Sequence, residues 1–352
     1  MKTFDEPRTS KYHLHTIDLL RGVAALIVCI GHYTSLLLPS IHRQELQSLF
    51  WWSWVGVEIF FVISGFVIPF VLFHSGYTIS RFLPFMANRF LRICLPSYII
   101  IVLTILQWRL LGTTLDPGAY TSQQISGGRL VHNLLYTVPF TSFTWMNGVF
   151  WTLAIEFQFY FLIAIAYPFM FRSRITFVLY SILMLALFYI PVSRYVGLFQ
   201  YGSFFLMGSL TQLYYTRRIS FYQFALSLIC VATVCFLQKG LVAAAFGIGT
   251  SFAIAFFSIR NAVTNFLGRI SYSLYLSHVL VASTAEVVLA KFYHPRGLIW
   301  TVLTLIACLG LALLFSWLFY RTVELYFIKM AARLFKYKGK TGPPPEAKEV
   351  AL

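Results

Sequence analysis

Stretches of about twenty mainly apolar residues recur along most of the chain, and this feature restricts the fold more than any other. A hydrocarbon core of ~30 Å is crossed by about 20 helical residues. Windows of that length fall at 17–38, 53–73, 93–112, 147–171, 175–192, 197–215, 219–237, 240–259, 267–290 and 298–320. Backbone N–H and C=O groups inside a bilayer must be paired within the protein, and runs this long achieve that as helices. The expected fold is therefore all-α, a polytopic membrane helix bundle of about ten transmembrane helices. Composition agrees: 59% of the residues are hydrophobic, 11% are charged and the mean hydropathy is +0.76, far too apolar for an ordinary soluble domain.

The formal charge of +16 would in a soluble protein raise nucleic acid as a partner, but the placement of the charges argues otherwise. One set of connections holds Lys2, Arg8 and Lys11, then Arg81, Arg89 and Arg92, then Arg172 and Arg174, Arg217 and Arg218, Arg260 and Arg269, and a basic tail. The opposite set holds only Arg43, Arg109, Arg129, Arg194, Lys239, Lys291 and Arg296. The richer side is cytoplasmic by the positive-inside rule, so an even helix count puts both termini in the cytoplasm. The partner this charge implies is the lipid bilayer, with no nucleic acid, and the expected location is the cell (inner) membrane, multi-pass.

The chain divides into a cytoplasmic N-terminal segment 1–16, a transmembrane core 17–320, an amphipathic membrane-surface helix 321–338 and a disordered tail 339–352. The segment 116–144 is too polar to span and reads as an external loop with room for one interfacial helix. In 321–338, Phe327, Ile328, Leu334 and Phe335 alternate with Lys329, Arg333 and Lys336, a pattern that suits the anionic inner leaflet. The five cysteines all lie in apolar runs and read as small hydrophobes with no disulfide. No zinc-type or phosphate-loop spacing is present, so no metal is expected.

Ionisable groups inside a span are costly, so each is a functional suspect. The first window contains Asp18, Arg21 and His32. Arg21 and His32 are separated by eleven residues, or 1100° at 100° per residue, within about 20° of three full turns. They share a face roughly 16 Å apart along the axis. The plainer reading pairs Asp18 with Arg21 at i,i+3 and makes His32 a structural hydrogen-bonder. In the second window Glu58 lies seven residues from Trp51, as His32 does from Pro39. Equal depth points to an imidazole–carboxylate dyad, the arrangement that poises a general base. Glu156 in the fourth window is a third carboxylate at similar depth, with structural bonding as its alternative. Arg89 and Arg92 sit at i,i+3 just before the third window. Guanidinium forks match phosphate oxygens, although a positive-inside anchor has the same appearance. Ser271, Tyr275 and His278 share a face of the ninth window, either as pathway lining or as interhelical hydrogen-bonders. Glu324 lies near the inner surface as a partner for an arginine.

These residues resemble the acyltransferase-3 family of membrane acyltransferases. DLLRG at 18–22 followed by His32 looks like its first-helix signature, and GVEIFFVISGF at 56–66 its second. NRFLRICLPSY at 88–98 resembles its paired arginines, and WTLAIEFQFY at 151–160 its Trp-x-Leu-x-x-Glu segment. GRISYSLYLSH at 268–278 and YRTVE at 320–324 resemble its last helices. Phe157 stands where many members have a second acid, and Leu19 where glycine is frequent.

The resemblance implies an O-acyltransferase that moves an acetyl or related short acyl group from acyl-coenzyme A to a hydroxyl of a carbohydrate or glycolipid acceptor, often an extracytoplasmic glycan. Acyl-coenzyme A (acetyl-CoA) is then a donor substrate, with no permanently bound cofactor. On this reading Arg21, Arg89 and Arg92 hold its phosphates and His32, oriented by Glu58, is the general base. An acyl-histidine intermediate is the second mechanism. Two other classes compete: a secondary transporter using a buried His/Glu/Arg pathway, and a non-catalytic membrane adaptor, which gives no reason for aligned Arg21 and His32.

Overall fold

The computed structural model describes residues 15–111, 125–259, 261–293 and 295–335, and these residues contain helices and no strand. The first half of the chain forms α1 (His15–His32), α2 (Gln44–Phe50), α3 (Val55–His74), α4 (Phe82–Leu111), α5 (Gly127–Leu134) and α6 (Phe150–Met170). The second half forms α7 (Arg174–Ala186), α8 (Gly202–Tyr215), α9 (Phe221–Lys239), α10 (Leu241–Phe256), α11 (Ala262–Phe292), α12 (Leu298–Phe319) and α13 (Leu325–Leu334). Helix occupies most of every predicted window, and among the described residues seven helical stretches are long and apolar enough to cross a membrane. The protein is a polytopic helical bundle.

The windows at 175–192, 197–215 and 240–259 hold shorter helices, α7, α8 and α10. For α8 the reason is visible in its burial. Every residue from Gly202 to Leu213 is buried, so protein neighbours rather than bilayer thickness set its length. Helix α3 occupies the middle of the bundle and packs on α1, α6, α8 and α10.

Two crossings rest on glycine, because helix association in lipid depends on small residues that let backbones approach. At the α3–α8 crossing a Cβ on Gly65 would collide with the Phe205 backbone, and one on Gly208 with the Val62 carbonyl and Phe66 nitrogen. Gly208→Val is expected to lose at least the 1–3 kcal/mol typical of overpacking, read as a lower unfolding midpoint in detergent. At the α1–α11 crossing Gly22 meets Leu267 and Gly268, and Gly268 meets Asp18. From there the two helices run parallel with a constant offset of 246 residues. Gly22 lies beside Gly268, His32 bonds to His278, and Ser40 donates to Glu286 through both N and Oγ.

Arg89 and Arg92 do not precede their helix. They lie inside α4, whose 30 residues begin at Phe82. A hydropathy window rejects their charges, but the arginines face a protein cavity instead of lipid. Part of the expected 116–144 loop, 116–124, lies outside the described residues. Its remainder contains the short helix α5, capped by Ser126 Oγ, which accepts from Arg129 N at 3.1 Å. Arg129 Nε and Asn133 Nδ2 both donate to the Thr144 carbonyl, at 3.2 and 3.1 Å. Beyond α12 the chain continues through a π turn, Tyr320–Glu324, into α13, which packs on α4. Of the predicted terminal segments, 1–14, 336–338 and the 339–352 tail lie outside the described residues.

Candidate active site

Arginines on two helices and carboxylates on two further segments converge on one cavity of about 130 Å³. Helix α1 supplies Arg21, and α4 supplies Arg89 and Arg92, whose i,i+3 spacing puts both on one face. Glu156 and Tyr160 of α6, one turn apart, form another wall, and Glu324 enters from the π turn after α12. Ser64 of α3 and Tyr272 and Tyr275 of α11 complete the polar lining.

The carboxylates are held by defined donors. Glu156 Oε1 accepts from Ser64 Oγ at 2.8 Å and from the Tyr160 hydroxyl. Glu324 Oε2 accepts from Ser273 Oγ at 2.5 Å. The Arg89 guanidinium lies 5.4 Å from the ring centroids of both Phe85 and Tyr160, and its buried Nε has no hydrogen-bond partner among the described residues. Arg92 interacts electrostatically with Arg89, Arg21 and Glu324. Three guanidinium groups thus face two carboxylates in a small space, and their mutual repulsion is relieved by an anion.

The second part of the site lies beyond Tyr275. His32 Nδ1 is 2.8 Å from His278 Nε2, with ring centroids 5.1 Å apart and planes 24° from parallel. His278 is wholly buried and His32 half-buried. Tyr275 lines the cavity and lies 5.9 Å, ring to ring, from His278. Its hydroxyl is 2.7 Å from Thr152 Oγ1 and its ring meets Phe60 edge-on at 5.5 Å. Tyr275 therefore stands between the arginine-lined cavity and the histidine pair.

The structure groups the sequence candidates differently from the expectation in three places. Glu156, expected at the depth of His32 and Glu58, lines the cavity with Arg21, Arg89 and Arg92 and bonds to Ser64, six residues beyond Glu58 on α3. Glu58 makes no hydrogen bond to His32; its neighbour is Lys239 of α9, whose ammonium sits 4.2 Å from the Tyr201 ring centroid. The reason is rotational. A Cβ on Gly56 would meet Ala24 and Val28 of α1, and Glu58, two residues on, points about 200° away from that contact. Depth differs as well, since Gly31 packs against Ser53 and Glu58 lies five residues, roughly 7.5 Å, further along α3. Ser271 donates to its own helix at Gly268 O, 2.8 Å, and does not line the cavity. Asp18 lies at the α1–α11 crossing.

Sequence reasoning did not single out Ser64, Tyr160, Tyr272 or Lys239. Tyr160 carried a usable signal, because it lies at i+4 from Glu156 and ends the same motif. Ser64 sits inside the 56–66 motif; Lys239 showed only as an isolated outer cation.

Comparison finds no match among curated proteins or among solved structures. Residues 14–321, nearly the whole chain and including Arg21, His32, Arg89, Arg92, Glu156 and His278 but not Glu324, match the acyltransferase-3 family model, described as an acyltransferase domain. A helical membrane bundle with a cationic cavity next to a histidine pair, carried by a chain that matches this model along almost its full length, belongs to the acyltransferase-3 family.

Proposed function

We propose that this membrane acyltransferase takes an acetyl or other short acyl group from acyl-coenzyme A and places it on a hydroxyl of a carbohydrate-type acceptor, an extracytoplasmic glycan or glycolipid. The observation that carries the reading is the convergence of Arg21, Arg89 and Arg92 on a cavity whose wall includes Tyr275, the residue that also touches His278. Coenzyme A is polyanionic at one end and carries its thioester on a flexible arm. Guanidinium forks suit its phosphates, and the arm leads past Tyr275 toward His32. In this reading the arginine-rich end faces the cytoplasm of the inner membrane, where acyl-coenzyme A is found.

His32 is the proposed general base. Its imidazole removes the proton of the acceptor hydroxyl as that oxygen attacks the thioester carbonyl. The tetrahedral intermediate expels the coenzyme A sulfur, which takes the proton from the imidazolium and leaves as the thiol, with the acyl ester as the other product. Glu156 acts from the cavity wall, fixing Tyr160 beneath Arg89. The orienting place expected for Glu58 is filled by His278.

The test is release of free coenzyme A from acetyl-coenzyme A by the purified protein, with and without a pool of glycans. Glycan-dependent release together with an acetylated glycan is the expected result. Folded protein that neither binds nor consumes the thioester overturns the proposal, and proton-coupled uptake of a solute would then be assayed.

A further inference from the structure

We infer that His278 is a positioning residue that fixes the tautomer and ring orientation of His32; this rests on the reading of His32 as the base. His278 Nδ1 lies 2.8 Å from the Tyr275 carbonyl and 3.2 Å from the Leu274 carbonyl. Carbonyl oxygens only accept, so Nδ1 carries the proton.

Among the described residues no carboxylate is a hydrogen-bond partner of His278: its Nδ1 faces carbonyls and its Nε2 faces His32. A wholly buried charge without a counter-ion is costly, so the ring is neutral and Nε2 holds a lone pair. His32 Nδ1, 2.8 Å from that lone pair, must then be the donor. A neutral His32 that carries its proton on Nδ1 presents its own lone pair on Nε2, the nitrogen left for the acceptor hydroxyl.

The chain of constraints begins in the backbone. The parallel α1–α11 register sets His278 beside His32, helical carbonyls set the His278 proton, and His278 sets the His32 proton. Tyr33, next to His32, closes the arrangement by donating its hydroxyl to the His278 carbonyl at 3.1 Å. His278 keeps its own proton throughout the reaction; it transfers nothing and touches neither substrate. A carboxylate in its place would also stabilise the imidazolium by charge, whereas a neutral ring acts through orientation and tautomer choice alone.

The decisive comparison is between His278→Phe, which keeps an aromatic ring without an acceptor, and His278→Gln, whose Oε1 can accept where Nε2 did. Both are assayed for coenzyme A release beside wild type and His32→Ala, with acetyl-coenzyme A binding and thermal unfolding measured on the same preparations. The expected result is that kcat of His278→Phe falls about 100-fold or more, the scale of general-base catalysis, with KM for acetyl-coenzyme A nearly unchanged. His278→Gln is expected to recover most of that loss. His278→Leu serves as the acceptor-free variant if the phenylalanine protein does not fold.

Equal losses in the Gln and Phe variants, accompanied by weaker thioester binding, would overturn the inference in favour of a packing role. Wild-type turnover in His278→Phe while His32→Ala is inactive would overturn it alone. An active His32→Ala, or an inactive wild type, would overturn the base reading and this inference with it.

Discussion

Replacement of His32 by alanine is expected to lower kcat for acyl transfer by about 10²- to 10⁴-fold, the range that a positioned general base contributes, while equilibrium binding of acyl-coenzyme A stays close to wild type. The separation follows from the geometry. The arginines that would hold the donor phosphates line the cavity, and His32 lies beyond Tyr275, paired with His278 and absent from the cavity wall. Loss of the imidazole removes the proton acceptor without removing a phosphate contact. The measurement is single-turnover transfer from radiolabelled acetyl-coenzyme A, with denatured protein checked for retained label. Label retained on wild type and absent from the variant would replace the general-base step with an acyl-histidine. Transfer at the wild-type rate in a folded His32→Ala protein would remove the histidine from the mechanism altogether.

Arg89→Gln is expected to act on the opposite half of the reaction. A hydrogen bond to a charged group contributes about 1.5–3 kcal/mol, so loss of the guanidinium should weaken acyl-coenzyme A binding by roughly 10- to 100-fold. The kcat at saturating donor should change far less. Arg89 is well placed for this role because its Nε is buried without a hydrogen-bond partner among the described residues and its guanidinium is held over Phe85 and Tyr160. Acetyl-pantetheine, which has the thioester arm but no phosphate, provides the control. Wild type and Arg89→Gln should use it equally poorly. A variant that loses as much on acetyl-pantetheine as on acetyl-coenzyme A would show that Arg89 holds the bundle together rather than a phosphate. Arg89→Lys should rescue only in part, since a point charge does not reproduce the planar fork or its stacking on aromatic rings.

Much of the cavity could be read from local spacing. Arg89 and Arg92 at i,i+3 must share a face wherever α4 is placed, and the same applies to Glu156 with Tyr160 at i,i+4. Such groups are too costly to turn toward lipid, so their facing the inside of the bundle was foreseeable; the meeting of Glu156 with the arginines was not, because residue counting put Glu156 at the depth of His32 and Glu58. The arginines were expected before rather than within α4 because a hydropathy window rejects charges even where they face a protein cavity.

The pairing of Glu58 with His32 went astray for a different reason. Counting residues from presumed interfaces estimates depth, but it carries no information about rotation about the helix axis. Gly56, by packing against Ala24 and Val28, turns Glu58 toward Lys239.

The sequence by itself determined that this chain is a helical membrane bundle, because twenty-residue apolar runs admit no other way to pair their backbone groups. It also determined which polar residues share each helix face, because 3.6 residues per turn is a property of the backbone. The tertiary structure alone decided which face meets which. His278 lies 246 positions after His32, and no local period relates them. Their contact exists because Gly22 and Gly268 allow α1 and α11 to approach in parallel register, and close packing of small residues, unlike helix periodicity, is settled only when the whole bundle assembles.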